Sequence, residues 1–403
     1  MNLPTVYHHP LPRQTLLPHL LPLLPYSLPI VRRIQFHFQS PHAVVLSTLS
    51  PTDEAPNHTL AQQEQGEKVL PRFAAAYTDR SRTPETETWV FSTIELPTSS
   101  TTPESLIFTK FQLLALFNHI STLTLPPPPH TPSDPSILLV GSIHARILAL
   151  LKGVSVEDVV ADGSGEKVIS GDKALDHTHG SASPDNPGSG GVIRGHTVPY
   201  TKFIVPPYGA AQVQAFQRDS DFSHPNTGLT WGTVRPEDFQ LVISRTDIPR
   251  RERTLELLPS LAIRKVSDEL TSSEESENNS DSDDDDDDEE KTQLSEPIAW
   301  AFLGPDASLC SLHVEPAYRG RGFAKKLACQ AFGFLLHDRH LLMNLPYDGM
   351  TRQQAWNHSD VSHDNAGSIG VAKAAGGRPG WECFWGWVDL NAVKREVEER
   401  EDM

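Results

Sequence analysis

The sequence predicts an α/β protein built around a mixed β-sheet. Short apolar runs with strand-like alternation are interspersed with segments of helical spacing. A glycine-bearing turn at residues 319–324 joins one such strand to an amphipathic helix. No uninterrupted apolar stretch is long enough to span a membrane, since four prolines interrupt residues 16–30. At 403 residues the chain is long enough for two domains.

Residues 1–153 are predicted to form the first domain. The period of two from Val31 to Phe38 predicts a strand. The segment from Glu104 to Leu123 has apolar residues three or four positions apart, which predicts a helix. A run of prolines, Pro126 to Pro129, ends it. Strands followed by a helix are thus expected in this half of the chain.

Two low-complexity segments divide the remainder of the chain. Residues 154–198 are rich in Gly, Ser, Asp and His, which predicts a disordered linker. Residues 267–295 are acidic and lie between two apparent strands, so we interpret them as a disordered insertion in a hairpin loop. Residues 199–266 and 296–392 would then form the second domain, and 393–403 a charged C-terminal tail.

The net charge of −18 has a local origin. Twelve carboxylates and no Lys or Arg occur between Glu274 and Glu290, so the rest of the chain is only mildly acidic. The net charge therefore says little about the folded parts. We expect neither nucleic-acid nor membrane binding, and consider a basic protein partner for the acidic tract. Three cysteines without close spacing suit a reducing compartment. A cytoplasmic location is expected, with the nucleus and the mitochondrion as alternatives.

The most informative feature is the segment from Pro297 to Leu335. It contains two strands, the turn Arg319-Gly320-Arg321-Gly322-Phe323-Ala324, and a helix whose apolar residues recur every four positions. A helix N-terminus presents unpaired N–H groups and a positive dipole end, and two glycines let a diphosphate approach the backbone. The arginines add positive charge. The pattern predicts a diphosphate site without specifying the cofactor.

Residues 312–324 resemble the acetyl-CoA signature of the GNAT superfamily, Arg/Gln-x-x-Gly-x-Gly/Ala preceded by Val-x-Pro-x-Tyr-Arg. Residues 360–368 resemble a later block in which an Asn opens a helix and contacts the CoA arm. The resemblance extends from about Leu229 to Leu390 and is nearest to the glycine N-acyltransferase-like and fungal GNAT-domain group. It implies a GNAT fold with a mixed, centrally splayed sheet flanked by helices, preceded by a degenerate GNAT-like N-terminal domain.

The resemblance also implies the activity and its co-substrate. The expected function is transfer of an acetyl or other short acyl group from acetyl-CoA (acyl-CoA) to an amine of a small molecule, without a metal. The alternative is a catalytically weak acyl-CoA-binding module that acts through protein contacts. The expected CoA-binding residues are Leu312, Val314, Arg319, Gly320, Arg321, Gly322, Phe323, Ala324, Asn365 and Ser368. Helix capping is the alternative role for Asn365 and Ser368.

The catalytic residues usual in the family are missing from the chain. Ala372 stands where the family has a Tyr acid, and Ser308 aligns near the usual Glu base. The candidate bases are His313, with a structural histidine as the alternative, and Asp306, with a turn role as the alternative. His358 and Asp360 are further candidates on the acceptor side.

Three weaker features complete the sequence analysis. Arg245 or Arg250 would bind a substrate carboxylate or form a surface ion pair. Cys329 is expected to be packed in a helix rather than to act as a nucleophile. A metal cluster in the glycine- and serine-rich linker is a remote alternative because no paired Cys accompanies its members, which are Asp172, Asp176, His177 and His179.

Overall fold

The structure, a computed structural model, describes residues 3–36, 41–53, 71–153, 191–208, 228–266 except 247 and 249, 295–337 and 355–401. These residues form two compact units. The first comprises the ranges 1–207, 305–308 and 349–403, and the second 208–304 and 309–348. The strands are β1 (Tyr7–His8), β2 (Val44–Ser47), β3 (Ala74–Thr78), β4 (Thr88–Ser92), β5 (Ile137–His144), β6 (Ile193–Val205), β7 (Leu229–Gly232), β8 (Ser260–Lys265), β9 (Pro297–Leu303), β10 (Leu309–Val314), β11 (Asn357–Ser362) and β12 (Arg378–Asp389).

Helices flank both sheets, which gives the α/β architecture predicted from the sequence. None of the helices in the described ranges combines the length and the hydropathy that a membrane span needs. The α-helices are α1 (Pro12–Thr15), α2 (Leu17–Leu20), α3 (Leu28–Phe36), α4 (Pro103–Ser121), α5 (Ala145–Lys152), α6 (Phe239–Ser244), α7 (Glu252–Leu255), α8 (Phe323–His337), α9 (Ala366–Ala374) and α10 (Leu390–Glu401).

The first unit contains a mixed sheet of eight strands in the order β1-β2-β3-β4-β5-β12-β6-β11. Neighbouring strands are antiparallel except β4 and β5, which are parallel. Two residue pairs define their register, Thr88 with Val140 and Trp89 with Gly141. A parallel connection needs a crossover, and α4 supplies it. The core on one side of this sheet includes Leu114, Phe117 and Leu138, none of them exposed.

Strand β12 lies between β5 and β6. Cys383 is paired with His144 on one side and with Tyr200 on the other. Strands from near the C-terminus therefore complete a sheet that begins at the N-terminus. Each of the predicted domains, 1–153 and 199–392, covers one side of the linker, whereas β12 of the second range pairs with β5 of the first. Strand β6 begins at Ile193, inside the stretch predicted as a linker, because Ile193 pairs with Val388.

Residues 390–401 form helix α10 where a charged tail was predicted. Val393 and Val397 are buried in the core that α4 also lines. Lys110 of α4 forms an ion pair with Glu396 at 2.6 Å. The tail prediction is wrong because the charged residues of this segment occupy the outer side of an amphipathic helix, whose apolar positions were too sparse to stand out.

The strand predicted at Val31 to Phe38 is wrong as well, since residues 28–36 form helix α3. The buried residues Ile30, Val31 and Ile34 have helical spacing that the period of two obscured. Arg32 and Arg33 are also buried, and the Arg33 guanidinium carbon lies 3.4 Å from the centroid of the Trp89 ring. A contact with an aromatic ring therefore stabilises Arg33 in the interior, and Arg32 donates to the carbonyl of Trp356 at 2.8 Å.

The second unit contains an antiparallel sheet in the order β10-β9-β8-β7. Ser260 of β8 pairs with Phe302 of β9, which confirms that the two strands flanking the acidic insertion are antiparallel neighbours. Residues 267–294 of that insertion lie outside the described residues. Trp300 and Phe302 pack with α6 and α7 in an apolar core. A buried ion pair between Arg264 and Asp238 lies beside it.

Replacement of Val393 by Ala should lower the free energy of unfolding of the first unit by about 2 kcal/mol, because a fully buried side chain loses two methyl groups and leaves a cavity. Glu399→Ala in the same helix, at an exposed position, is the matched control and should change it by less than about 0.5 kcal/mol. Urea unfolding followed by circular dichroism measures both. Equal, negligible effects would show that α10 does not belong to the core.

Candidate functional site

Strand β10 carries a β-bulge in its middle. Cys310 pairs with Phe302 and His313 pairs with Trp300, so that Ser311 and Leu312 together face Ala301. The φ of Ser311 is 48°, in the left-handed region. A bulge interrupts the regular ladder and re-aims the backbone groups of the bulged strand. The backbone at Leu312 is thereby turned away from ordinary strand pairing.

The turn after β10 is open to solvent. Residues 319–322 are all exposed, and both glycines have positive φ values, 76° for Gly320 and 80° for Gly322. A Cβ built on either glycine would meet no atom within 4 Å. The predicted diphosphate turn is therefore an exposed stretch of backbone, and it is neither sealed in the core nor part of a continuous strand.

Helix α8 begins directly after this turn. The N–H of Lys326 donates to the carbonyl of Gly322 at 3.1 Å, the first bond of the helical pattern. The first turn of the helix contains no acidic residue and includes Lys325 and Lys326, so the dipole and the side chains are both positive here. Phe323 and Leu327 are buried and fix the helix on the sheet. This set of groups fits a diphosphate.

The two arginines of the turn are exposed and are oriented by backbone contacts. Arg319 Nε donates to the carbonyl of Val314 at 2.9 Å, and Arg321 Nη2 donates to that of Ala317 at 3.3 Å. The Arg321 guanidinium also lies 5.3 Å from the ring centroid of Tyr318. A guanidinium has five N–H donors, so a single backbone bond leaves each arginine able to bind an anion.

His313 is held against the sheet of the second unit. Its ring stacks on Trp300, with centroids 4.6 Å apart and an interplanar angle of 21°. Its Nε2 has no hydrogen-bond partner among the described residues and lies 3.7 Å from Glu315 Oε1. Burial lowers the pKa of His313; Glu315 opposes this shift, and the positive charges of Arg319 and Arg245 add to it. The imidazole is therefore neutral near pH 7, as a base must be.

Arg245 forms an ion pair with Glu315, with Nε and Oε1 2.9 Å apart. Both side chains are partly exposed, at 43% and 20%. This pairing favours the surface ion-pair interpretation of Arg245 over the carboxylate-binding one. Arg250 has no comparable ion pair among the described residues, and its substrate role stays a prediction.

Asp306 performs the turn role that was the alternative to catalysis. Its Oδ1 accepts hydrogen bonds from the N–H and the hydroxyl of Ser308, at 3.2 and 2.6 Å. The side chain is 5% exposed. A carboxylate that is buried and engaged in this way is not available to an incoming amine, and the role of His313 as the base stays a prediction.

His358 and Asp360 belong to a buried ion-pair network rather than to an exposed acceptor surface. His358 Nε2 lies 2.9 Å from the carbonyl oxygen of Asp306, and Nδ1 lies 3.2 Å from Lys202 Nζ. Lys202 also pairs with Asp360 Oδ1 at 2.5 Å. Their predicted acceptor-side role is contradicted, because both ring nitrogens and the carboxylate are already engaged away from solvent.

Lys202 is the member of this network that sequence analysis missed. It lies in β6 and is 1% exposed. Burial lowers the pKa of its amine, but Asp360, Cys383 and Asp306 together raise it more, so Lys202 remains an ammonium. The available signal was the strand-like alternation of Thr201, Lys202 and Phe203, which puts a lysine on one face of a strand.

Asn365 is the N-cap of α9. Its Oδ1 accepts a hydrogen bond from the N–H of Ser368 at 2.9 Å, which is the capping role considered from the sequence. Asn365 belongs to the first unit and the glycine turn to the second. A contact of Asn365 and Ser368 with CoA stays a prediction. Ala372, at the usual Tyr position, is buried in the same helix.

The corresponding turn of the first unit has no glycine. Residues 93–102 connect β4 to α4, and Ser92 and Glu95 close a capping box at their start. Arg146 Nη1 donates to the carbonyls of Ile94 and Leu96 at 3.0 and 3.2 Å. The side chain of Arg146 therefore engages backbone carbonyls here, and residues 93–102 lack the two glycines of the turn at 319–324.

No metal site is evident in the part of the chain that the structure describes, since no three of its His, Cys, Asp and Glu side chains form a suitable group. The four linker residues considered for a metal lie outside it. Cys329 is buried in α8, as predicted.

Comparison with known proteins identifies the family. Residues 3–203, about half of the chain, match the model of the acyl-CoA N-acyltransferase verG N-terminal domain. The chain belongs to the GNAT superfamily. Its members use acyl-CoA as co-substrate, and membership indicates acyl transfer from CoA. The match does not distinguish among subgroups, so the nearest group stays a prediction. No curated protein matches the chain.

Solved structures are similar to this GNAT chain over most of its length. A Drosophila protein is 11% identical, with 96% of this chain and 99% of that chain covered and a TM-score of 0.48. The tandem GNAT protein from the clavulanic acid biosynthesis pathway is 10% identical, with 96% and 98% covered and a TM-score of 0.40. A GCN5-related N-acetyltransferase from Sphaerobacter thermophilus is 11% identical, with 85% and 87% covered and a TM-score of 0.32.

Replacement of Gly322 by Asp should weaken CoA binding at least about a hundredfold, because a carboxylate would face the diphosphate and because φ is 80°. Gly333→Ala in the middle of α8, where a Cβ meets open space, is the matched control and should leave the affinity unchanged. Calorimetry with CoA measures both. Unchanged affinity of the Asp variant would contradict the assignment of this turn.

Proposed function

We propose that this protein is an acyl-CoA-dependent N-acyltransferase that transfers an acetyl or other short acyl group from CoA to an amine of a small molecule. The observation that carries the proposal is the exposed turn with two positive-φ glycines between the bulged strand β10 and helix α8. Membership of the GNAT superfamily supports it, since acyl transfer from CoA is the chemistry of that family.

The groups around this turn can support direct transfer. The CoA diphosphate would bind the glycine backbone, the start of α8 and Arg319 and Arg321. The acceptor nitrogen would then attack the thioester carbonyl carbon, the carbon–nitrogen bond would form, and the carbon–sulfur bond would break. Backbone N–H groups from Leu312 to Val314, at and after the bulge, would stabilise the negative charge on the carbonyl oxygen.

The nitrogen must lose a proton, and His313 is the proposed acceptor of that proton. Its ring is neutral near pH 7 and its Nε2 has no partner at hydrogen-bond distance in the described residues. The leaving thiolate would take its proton from solvent, since Ala372 stands where the family has its usual Tyr. Thiolate is a tolerable leaving group near neutral pH, so this absence slows the reaction without preventing it.

The test is release of free thiol from acetyl-CoA across a panel of amines, including amino acids and polyamines. At least one amine should raise release well above the hydrolytic background, with the acylated amine found by mass spectrometry. Longer acyl-CoA donors compared in the same assay would establish which acyl chain is preferred.

A second candidate function is an acyl-CoA-binding module that acts through protein contacts. The observation that favours it is the loss of two usual catalytic positions, which are Ser308 and Ala372 here. If CoA binds and no amine raises thiol release, this second function is the correct one. A basic protein that binds the acidic tract and a cytoplasmic location remain predictions, and residues 267–294 lie outside the described part.

Replacement of His313 by Gln should lower kcat/KM for the best amine about a hundredfold. In the wild type, kcat/KM should fall as the pH drops through the pKa of His313, which lies below 6.5 because of burial and of Arg319 and Arg245, against the opposing charge of Glu315. Protonation removes the lone pair that accepts the proton, so this acid limb should be absent from the Gln variant. A pH profile of kcat/KM measures it. An unchanged limb would assign it to another group.

A further inference from the structure

The loop between β9 and β10 is anchored by a chain of buried polar contacts. It comprises residues 304–308, and Ala307 within it has a φ of 58°, which is uncommon for a residue with a side chain. A conformation of this kind persists only where its surroundings fix it. The contacts that fix it lie at Asp306 and Ser308, and both residues are joined to β11.

Two contacts connect the loop to His358. Ser308 forms an isolated parallel bridge with His358, and the imidazole Nε2 lies 2.9 Å from the carbonyl oxygen of Asp306. A carbonyl oxygen only accepts, so Nε2 must carry the proton and donate it. His358 is 0% exposed, and no water can replace this bond without a rearrangement of the strand.

Lys202 determines which nitrogen of His358 carries the proton. Its Nζ lies 3.2 Å from Nδ1, and the ammonium can only donate. Nδ1 is therefore the acceptor, and the ring is the neutral tautomer with hydrogen on Nε2. Asp360 holds the ammonium in place at 2.5 Å. The order of donors runs from Lys202 through His358 to the carbonyl of Asp306.

The loop in turn fixes the register of β10 on β9. Its five residues join Leu303 to Leu309, which are themselves paired, and the bulge begins two residues later at Ser311. The register of a hairpin is set by the length and conformation of its loop. A change in the backbone at Asp306 to Ser308 would move the bulge and the N–H groups that follow it.

We infer that Lys202 is a positioning residue for acyl transfer: through His358 it fixes the loop 304–308 and thereby the bulge of β10. This inference rests on the proposed function, in which the backbone of the bulge binds the reacting carbonyl. Lys202 itself is 1% exposed and touches neither substrate.

The experiment compares two double variants of the full chain with the wild type. Lys202→Met with Asp360→Leu removes the buried pair without leaving an isolated charge. Arg80→Met with Glu87→Leu removes a similarly buried pair of the same unit, whose side chains are 5% and 2% exposed, and is the matched control. Hydrogen exchange of peptides covering 304–314, the dissociation constant for acetyl-CoA, and kcat for the best amine are measured for each.

Exchange of the 304–314 amides should rise at least tenfold in the Lys202 variant and remain unchanged in the control. The value of kcat should fall by roughly tenfold to a hundredfold, as expected for a displacement of about 1 Å, with the acetyl-CoA dissociation constant within twofold of the wild type. Unaltered exchange in the Lys202 variant, or an equal loss of kcat in the control, would overturn the inference.

Two measurements keep the inference testable if a variant does not fold or if no amine is acylated. Long-range nitrogen-15 NMR of the wild type should show hydrogen on His358 Nε2 and none on Nδ1, and the opposite tautomer or an imidazolium would overturn it. Without turnover in the wild type the proposed function alone fails. The inference then depends on protection of the 309–314 amides by acetyl-CoA, which the Lys202 variant should lose and the control should keep.

Discussion

The placement of β12 between β5 and β6 is the constraint on which the first unit depends. A strand in the interior of a sheet must satisfy its backbone groups on both edges, and β12 does so with one strand from before the 154–190 segment and one from after it. The fold of the N-terminal half is therefore incomplete without residues 378–389. Helix α10 follows immediately and covers the core beside α4, so the last described residues stabilise the first sheet twice.

The second unit accommodates a long acidic insertion between two neighbouring strands. The insertion connects β8 and β9, which remain neighbours in the second sheet whatever the length of their connection. The entropy of closing a loop grows slowly with its length. Both strands have buried apolar residues on successive positions, such as Ala262 and Ile263 or Ala301 and Phe302, so pairing does not depend on the turn. The acidic residues thus add charge at little cost to the fold.

The sequence was sufficient for the parts of the fold and site that depend on local patterns. The turn at 319–324, the strand before it and the helix after it follow from glycine spacing and from apolar periodicity, and the structure has all three. The helix over 104–123 was equally clear and is observed at Pro103–Ser121. Local capping was foreseen as well, since Asn365 does cap α9. Each of these features is determined by residues that are close in sequence, within about the number of residues in one helix.

The features that the sequence did not reveal depend on contacts between distant residues. The sequence of helix α3 has the alternation of a strand. Its buried arginines are stabilised by Trp89 and by other residues remote in the chain, which the alternation does not show. The charged face of α10 hides two valines that pack on α4. The alternation around Lys202 places it on one face of a strand but does not indicate its partners, because His358 and Asp360 follow more than 150 residues later. Periodicity records which face of a segment is apolar, and it carries no information about which buried charges meet.

The burial of Lys202 and Asp360 is itself informative about their role. Taking an ammonium and a carboxylate out of water is costly, and apolar side chains of similar volume often give equal or greater stability. Stability alone is therefore a weak reason for this pair. The second polar contact of Lys202, to His358 Nδ1, needs a donor that no apolar residue supplies. That donor fixes the tautomer that holds Asp306, and the loop at Asp306 leads directly into the bulged strand that precedes the glycine turn. A charge that is inefficient as a source of stability is thus well suited to fixing one backbone conformation.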